Sequence, residues 1–478
     1  MKTERRFWKC LVVTILLTAL TFVCVGVASA ATTRYVNPGE SIQAAVTAAD
    51  PGDTIIVRDG TYFENVEVNV ANLTLRSEHG SAFTTVLAAA TTSDVFLVTA
   101  NSVTITGFTV QNATDSASSA SGIQLHSVQH CNISDNNASG NYNGIYLYAA
   151  NNNTLTGNTV SKNSHGIYLR YSSSSNTLTG NIAAHNSRGI YLRNSRTTTL
   201  VGNAAHSNSQ YGIYLLGTST TTLLGNTANS NSNYGISLSD SNNNMLTGNT
   251  ALNNGDGIYL YISSNNTLMN NTANTNIRGI DLYASCNNSL TDNTVNSNSN
   301  CGILLDNSSD NNTLTGNTAS NNHYGIVLDH SNNDNHIYNN YFNNQINAYD
   351  DGNNTWNITK TSGANIIGSS WLGGNYWSDY TGEDTTGDGL GDTMLPYNSL
   401  MNIQNGGDWL PLIKTEEPSG RWDVNEDCTV NFIDLTILSA HWLETPTAPF
   451  PRYDINEDGV VNFIDLTILS AHWLESTC

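Results

Sequence analysis

A Gly-Ile-x-Leu phrase recurs through the middle of this chain at near-constant spacing, and no other feature restricts the possible folds so sharply. Its glycines fall at 122, 144, 166, 189, 212, 235, 257, 279, 302 and 325, always 22 or 23 residues apart. A second anchor follows at Leu155, Leu178, Leu200, Leu223, Leu246, Leu268, Leu290 and Leu314. An asparagine comes three residues after each: Asn158, Asn181, Asn203, Asn226, Asn249, Asn271, Asn293 and Asn317. A fixed period in this range denotes a solenoid. Within each unit Ile and Leu stand two apart, which is the period of a strand and not of a helix. Asn, Thr, Ser and Gly fill the intervals, so each coil holds two or three short strands joined by turns. Stacking such coils at about 4.8 Å per step pairs every strand with its equivalents in a parallel sheet. The expected fold is mainly β, a right-handed parallel β-helix solenoid of 22–23-residue coils, with the repeating asparagines stacked as amide ladders at turns where Asn tolerates left-handed backbone. The Leu-x-x-Leu-x-Leu pattern of a leucine-rich repeat is missing.

Composition agrees with a core one residue deep, since only 38% of the 478 residues are apolar. The formal net charge of −22 argues against nucleic acid or an anionic membrane as partner. Residues 1–30 read as a secretory signal: Lys2, Arg5, Arg6 and Lys9 precede an apolar run from Leu11 to Val27, then Ala28-Ser29-Ala30. The expected location is secreted, extracellular or at the cell surface, with no membrane span after cleavage. Cys131, Cys286 and Cys301 sit at different phases of the repeat, and no C-x-x-C metal spacing occurs, so they are expected as small buried or turn residues.

Residues 31–121 should form an N-terminal cap and irregular coils. Ile42, Ala45, Val46 and Ala49 share one helical face, and Asp50-Pro51-Gly52-Asp53 stops that helix, which would cover the open edge of the first coil. Regular coils span 122–345, and a last coil with its cap spans 346–414, where Trp371 and Trp377 are expected to plug the end. Asp384, Asp388 and Asp392, four apart in a Gly-rich loop, are candidate oxygen ligands for a Ca²⁺ ion. The phrases Ser41-Ile42-Gln43-Ala44-Ala45, Pro51-Gly52-Asp53-Thr54-Ile55, the repeated coils and Gly374-Asn375-Tyr376-Trp377-Ser378-Asp379-Tyr380 resemble the NosD-type family of secreted β-helix proteins over residues 34–414. That resemblance implies the fold. Its name comes from accessory proteins of a copper enzyme, while similar coils occur in carbohydrate-binding and sugar-cleaving proteins.

After a polar linker at 415–420, residues 421–478 hold a second repeat, of 31 residues. Asp423, Asn425, Asp427, Thr429, Asn431 and Asp434 recur as Asp454, Asn456, Asp458, Val460, Asn462 and Asp465. These occupy loop positions 1, 3, 5, 7, 9 and 12, where side-chain oxygens and one backbone carbonyl suit Ca²⁺. Each loop runs into Leu-Thr-Ile-Leu-Ser-Ala-His-Trp-Leu-Glu. Lacking a preceding helix and a Glu at position 12, the pair resembles a type I dockerin. The resemblance implies two Ca²⁺ ions and a cohesin-type protein partner. Positions 10 and 11 hold Phe432-Ile433 and Phe463-Ile464, apolar where polar recognition residues are usual, and Cys428 replaces the usual Gly at position 6. The near two-fold repeat brings the module's ends together, making Cys428 and Cys478 candidates for a disulfide that a secreted protein permits.

Alternation turns the residues two and four after each repeat glycine outward. Tyr146, Tyr168, Tyr191, Tyr214 and Tyr259 thereby form a tyrosine ladder that ends in carboxylates, a candidate surface for stacking on the sugars of a polysaccharide or surface glycan. The competing reading is a ladder that merely steadies the sheet. Asp281, Asp306 and Asp329, with His330 nearby, are the only candidate catalytic group, for a polysaccharide lyase or glycoside hydrolase. Copper handling has little support, because Met is rare and no Cys/His/Met cluster is apparent. The reading as a whole is a secreted, calcium-dependent docking protein with a glycan-binding β-helix.

Overall fold

The computed structural model describes residues 30–414, 421–427, 429–447, 451–456 and 458–474. Its contacts divide the chain into two units. One comprises Met1–Glu383 with Leu390–Leu412, the other Asp384–Gly389 with Ile413–Cys478. The expected signal, the 415–420 linker, Cys428 and Cys478 lie outside the described residues.

The first unit is a parallel β-helix. Its long sheet has 13 strands, from Val66–Val68 to Ile346–Asp350, each paired in parallel with the next coil. A 14-stranded sheet carries the leucine anchors, and a seven-stranded sheet forms a third side. Beyond Ala204–His206 this third side thins to single bridges through Thr227, Thr250, Thr272 and Thr294. The Ile and Leu after each repeat glycine, and every leucine anchor, are fully buried. In register Ile213 lies on Ile236 and Leu215 on Leu238, so one residue type stacks on itself along the axis.

Two features of the repeat acquire a physical reason. A Cβ added at Gly212 would sit 2.6 Å from the Gly235 carbonyl oxygen and 2.6 Å from Asn231 Nδ2. The backbone of the next coil occupies the space of a side chain, so glycine recurs. The asparagines form ladders as expected, but inside the corners and without left-handed backbone. Positive φ falls instead on residues such as Lys162, His185 and Ser207. A second ladder, through Asn163, Asn186, Asn208 and Asn231, escaped the sequence reading because no invariant apolar residue marks it. Asn226 accepts from the Asn203 amides at 3.0 Å and donates to Leu200 O and Asn249 Oδ1. Asn226→Ala orphans these buried groups at ~1–3 kcal/mol for each unsatisfied one. Calorimetry is expected to show a clear fall in melting temperature for it, and almost none for the exposed Asn233→Ala.

Helix α1 (Ile42–Thr47) buries Ile42 and Val46, as expected of a cap. Its N-terminal amides are taken by Glu64, which accepts from Ile42 N–H at 2.8 Å and Gln43 N–H at 3.0 Å. At the far end Trp377 stacks on Phe342 at 4.7 Å. Its partner in the plug is Trp356, which is buried, and not Trp371, which is half-buried against Lys360. Asn375 closes the asparagine ladder by accepting from Asn340.

In the second unit, α2 (Phe432–Ala440) and α3 (Phe463–Ala471) each begin at the end of a loop. Asn431 and Asn462 cap them in reciprocal boxes with Asp434 and Asp465. The 31-residue repeat becomes an internal near two-fold. Arg421 donates to Asp454 O and Arg452 to Asp423 O. Trp422 stacks on His472 and Tyr453 on His441, each at 3.8 Å. Val424, Val430, Leu438, Ile455, Val461 and Leu469 form a small buried core.

Candidate functional site

The outer face of the long sheet gathers most of the sequence candidates. Tyr146, Tyr168, Tyr191 and Tyr214 stack in register at 5.1, 4.7 and 5.0 Å between ring centroids. The rings lie face to face, and Tyr146, Tyr168 and Tyr191 are only 3, 6 and 6% exposed. Their π faces are therefore spent on one another, which corrects the expectation of an open stacking platform along this column. Burial also drives the Tyr146 and Tyr191 hydroxyls up to about 12. The ladder breaks at Ser237, where Tyr234 bridges instead to Tyr259 at 4.8 Å. Rings left open to solvent stand beside the ladder: Tyr171 and Tyr261, 46 and 38% exposed.

Sequence reasoning missed a third outward column, the residue immediately before each glycine. The pairing register skips the glycine, so strict alternation fails there. This column runs Asn143, His165, Arg188, Tyr211, Tyr234, Asp256, Arg278, Cys301 and Tyr324. Arg188 Nη1 donates to His165 Nε2 at 3.1 Å, which places the proton on Nδ1, 2.9 Å from Asn143 Oδ1. Burial, reinforced by the Arg188 charge, pulls His165 down to about 4, so it is a neutral spacer in the stack. The signal was present in the sequence as an aromatic or charged residue at most of these positions.

Toward the C-terminal coils the face turns acidic. The structure brings Asp306, Asp329 and His330 together, with His330 Nδ1 2.8 Å from Asp306 and 3.4 Å from Asp329. The Asp306 contact, then the Asp329 charge, raises the imidazole's affinity for a proton. Asp281 stands apart in the ladder column, 2% exposed, accepting from Arg278 at 3.0 Å. Its Oδ1 has no hydrogen-bond partner. Burial and then the neighbouring Asp256 raise the Asp281 carboxyl to about 7. A cavity of about 340 Å³ opens beside it, lined by Arg278, Leu304, Asp306, Tyr324 and Asp329 among others. The three catalytic candidates thus fall in two columns and not in one group. Cys301, also on its wall, is buried and pushed up to about 12, mainly by burial.

The C-terminal loops order their ligand candidates by local hydrogen bonds. Asn425 donates to Asp427 and Asn456 to Asp458, at 2.8 and 2.9 Å. Asp434 accepts from Val424 and Asn431 amides, and Asp465 likewise from Ile455 and Asn462. Asp454 is fully buried, and its Oδ1 has no hydrogen-bond partner. An orphaned carboxylate oxygen at the first position of a loop of oxygen donors fits a hard cation such as Ca²⁺. Phe432, Ile433, Phe463 and Ile464 are 73, 52, 73 and 53% exposed. Asp384, Asp388 and Asp392 are not drawn into one cluster. Asp384 Oδ1 and Oδ2 accept from the amides of Gly387 and Gly389 at 2.7 and 2.6 Å. Among the described residues, the one set of three His, Cys, Asp or Glu ligand atoms close enough to share an ion is Asp59, Glu78 and His79. Cys131 and Cys301 are buried free thiols and Cys286 is half-buried. No helix among the described residues is long and apolar enough to cross a membrane.

Comparison with known proteins agrees with this architecture. No curated protein matches the chain by sequence. The A-module of a mannuronan C-5 epimerase from Azotobacter vinelandii superposes with a TM-score of 0.53 at 19% identity, covering 66% of this chain and 92% of that one. The Dettilon tailspike protein gives 0.52 at 16% identity, covering 59% and 66%. At these identities the likeness is one of fold. Family models are more specific: a type I dockerin domain matches residues 421–475, and the model described as periplasmic copper-binding protein (NosD) matches residues 47–227 and 216–382. With that match spanning most of its length, the chain belongs to the NosD family of β-helix proteins and carries a type I dockerin at its C-terminal end.

Proposed function

We propose that this protein is an extracellular carbohydrate-binding β-helix, fastened by its calcium-loaded dockerin to a cohesin-type module on a scaffold or cell surface. The observation that carries the reading is the aromatic and arginine strip on the long sheet, where three outward columns run in register across successive coils. The buried ladder makes the strip rigid, and the open rings of Tyr171 and Tyr261 flank it. A rigid surface with partly exposed rings beside hydroxyls and guanidinium groups suits an extended sugar chain. The dockerin reading rests on its two oxygen-rich loops and on the exposed Phe432-Ile433 and Phe463-Ile464 pairs, which favour a partner with apolar pockets.

Among the described residues, the donors brought together do not suit copper. The close ligand cluster at Asp59, Glu78 and His79 is oxygen-rich, whereas copper sites favour imidazole and sulfur donors. The alternative with a specific observation behind it is a polysaccharide lyase or glycoside hydrolase. The cavity beside the high-pKa Asp281, walled by Asp306 and Asp329, is where such chemistry would sit.

Tyr171→Ala tests the strip without cutting into the buried ladder. We expect polysaccharide retention in affinity electrophoresis to weaken about fivefold, the loss of one aromatic contact worth ~1 kcal/mol, with an unchanged melting temperature. Unaltered retention on every glycan the parent binds would remove the strip from the binding surface.

A further inference from the structure

We propose that the coils carrying Lys162 to Arg196 bind an anionic polysaccharide, one bearing carboxylates or sulfate esters; this rests on the glycan-binding reading and specifies its ligand class. The chain has 39 Asp and Glu against 17 Lys and Arg. Between Asp135 and Asp240, however, there is no acidic residue at all, while Lys162, Arg170, Arg188, Arg193 and Arg196 all fall there. A strongly acidic protein has thus kept one stretch purely cationic, and it is the stretch that carries the tyrosine ladder.

The fold places three of these cations on the outer face of the long sheet. Arg188 stands in the column before the glycines, and Arg170 and Arg193 stand four residues after the glycines of successive coils. Coils rise about 4.8 Å per step, so the guanidinium groups repeat at close to the length of one pyranose in an extended chain. Among the described residues, none of the five cations forms an ion pair with a carboxylate. The three arginines on the long sheet have tyrosines as neighbours. Arg170 lies 4.2 Å over Tyr171, Arg188 lies 5.4 Å over Tyr191, and Arg193 sits against the Tyr168 hydroxyl. Arg188 Nε is buried with no hydrogen-bond partner. Stacked like charges without counter-charge raise the local free energy, and an anion that bridges them removes that cost. Guanidinium groups held against tyrosines are pre-organised to meet carboxylate or sulfate oxygens in pairs.

The neighbouring coils sharpen the assignment. From Asp256 onward the same face carries Asp281, Asp306 and Asp329, which repel an anionic polymer and confine it to the basic coils. A nucleic acid is disfavoured by the chain's overall net charge of −22.

The full-length, calcium-loaded protein is run in affinity electrophoresis against hyaluronate, dextran sulfate, neutral dextran and a single-stranded oligonucleotide. We expect retention by hyaluronate or dextran sulfate, weakening with added salt, and the preference between them identifies carboxylate or sulfate as the group read. Arg170→Gln/Arg193→Gln should weaken that retention roughly tenfold or more at an unchanged melting temperature. Should that variant melt early, Arg170→Gln alone carries the same test with a loss of several-fold. Retention by neutral dextran alone overturns the charge assignment and leaves the glycan-binding reading standing. Retention by none of the three glycans overturns both. Arginine variants that bind like the parent, or an oligonucleotide held as tightly as the glycans, also overturn it.

Discussion

Leu223→Asp is expected to unfold several coils at once, not to loosen one. Leu223 is fully buried and lies in register between Leu200 and Leu246. Losing its packing costs ~2–5 kcal/mol, and an unpaired carboxylate in that column adds several kcal/mol more. Typical domains hold only about 5–15 kcal/mol in all. Because each coil is stabilised by its neighbours, the defect spreads along the axis. Circular dichroism should show lost β-structure, with a broadened melt at much lower temperature. A near-parental spectrum and melt would contradict the register in which this leucine column is the core.

Removing calcium should unfold the C-terminal module while sparing the β-helix. Asp423, Asp434, Asp454 and Asp465 are 2, 0, 0 and 0% exposed, four carboxylates buried in a module with a small apolar core. Buried charges of one sign need a cation, and one held at a thousand times its dissociation constant contributes ~4 kcal/mol. Calorimetry on the intact chain should show two melting transitions, of which chelation abolishes one together with the helical signal of α2 and α3. Calcium titration should count two ions for the parent and one for Asp454→Ala. Indifference of both transitions to chelation would refute the calcium loops.

The parts of this architecture that repeat were legible from the sequence, because a repeat states the same constraint many times. Ile213 and Leu215 recur in every coil, so the core columns and one asparagine ladder could be read directly. The Phe432-Ile433 and Phe463-Ile464 pairs were picked out by the dockerin resemblance, and all four residues are exposed. What escaped depends on departures from simple alternation. The register skips Gly189, so Arg188 joins the outer face where period-two counting does not place it. Burial of Tyr168 arises from rings in adjacent coils, a property of the stack that one strand cannot reveal. The two-residue offset between Asp281 and Asp306 was legible, but not that only Asp281 would be buried. Trp356 replaced Trp371 in the plug because the terminal cap does not repeat.

Co-sedimentation of the calcium-loaded protein with a panel of immobilised acidic and neutral polysaccharides, with the supernatant assayed for new reducing ends and unsaturated sugars, tests the central claim most directly. The account predicts that the protein is depleted onto acidic polymer and that the polymer remains intact. Release of shortened or unsaturated products would contradict it in favour of an enzyme seated at the Asp281 cavity, and failure to bind any polysaccharide would contradict the glycan-binding face itself.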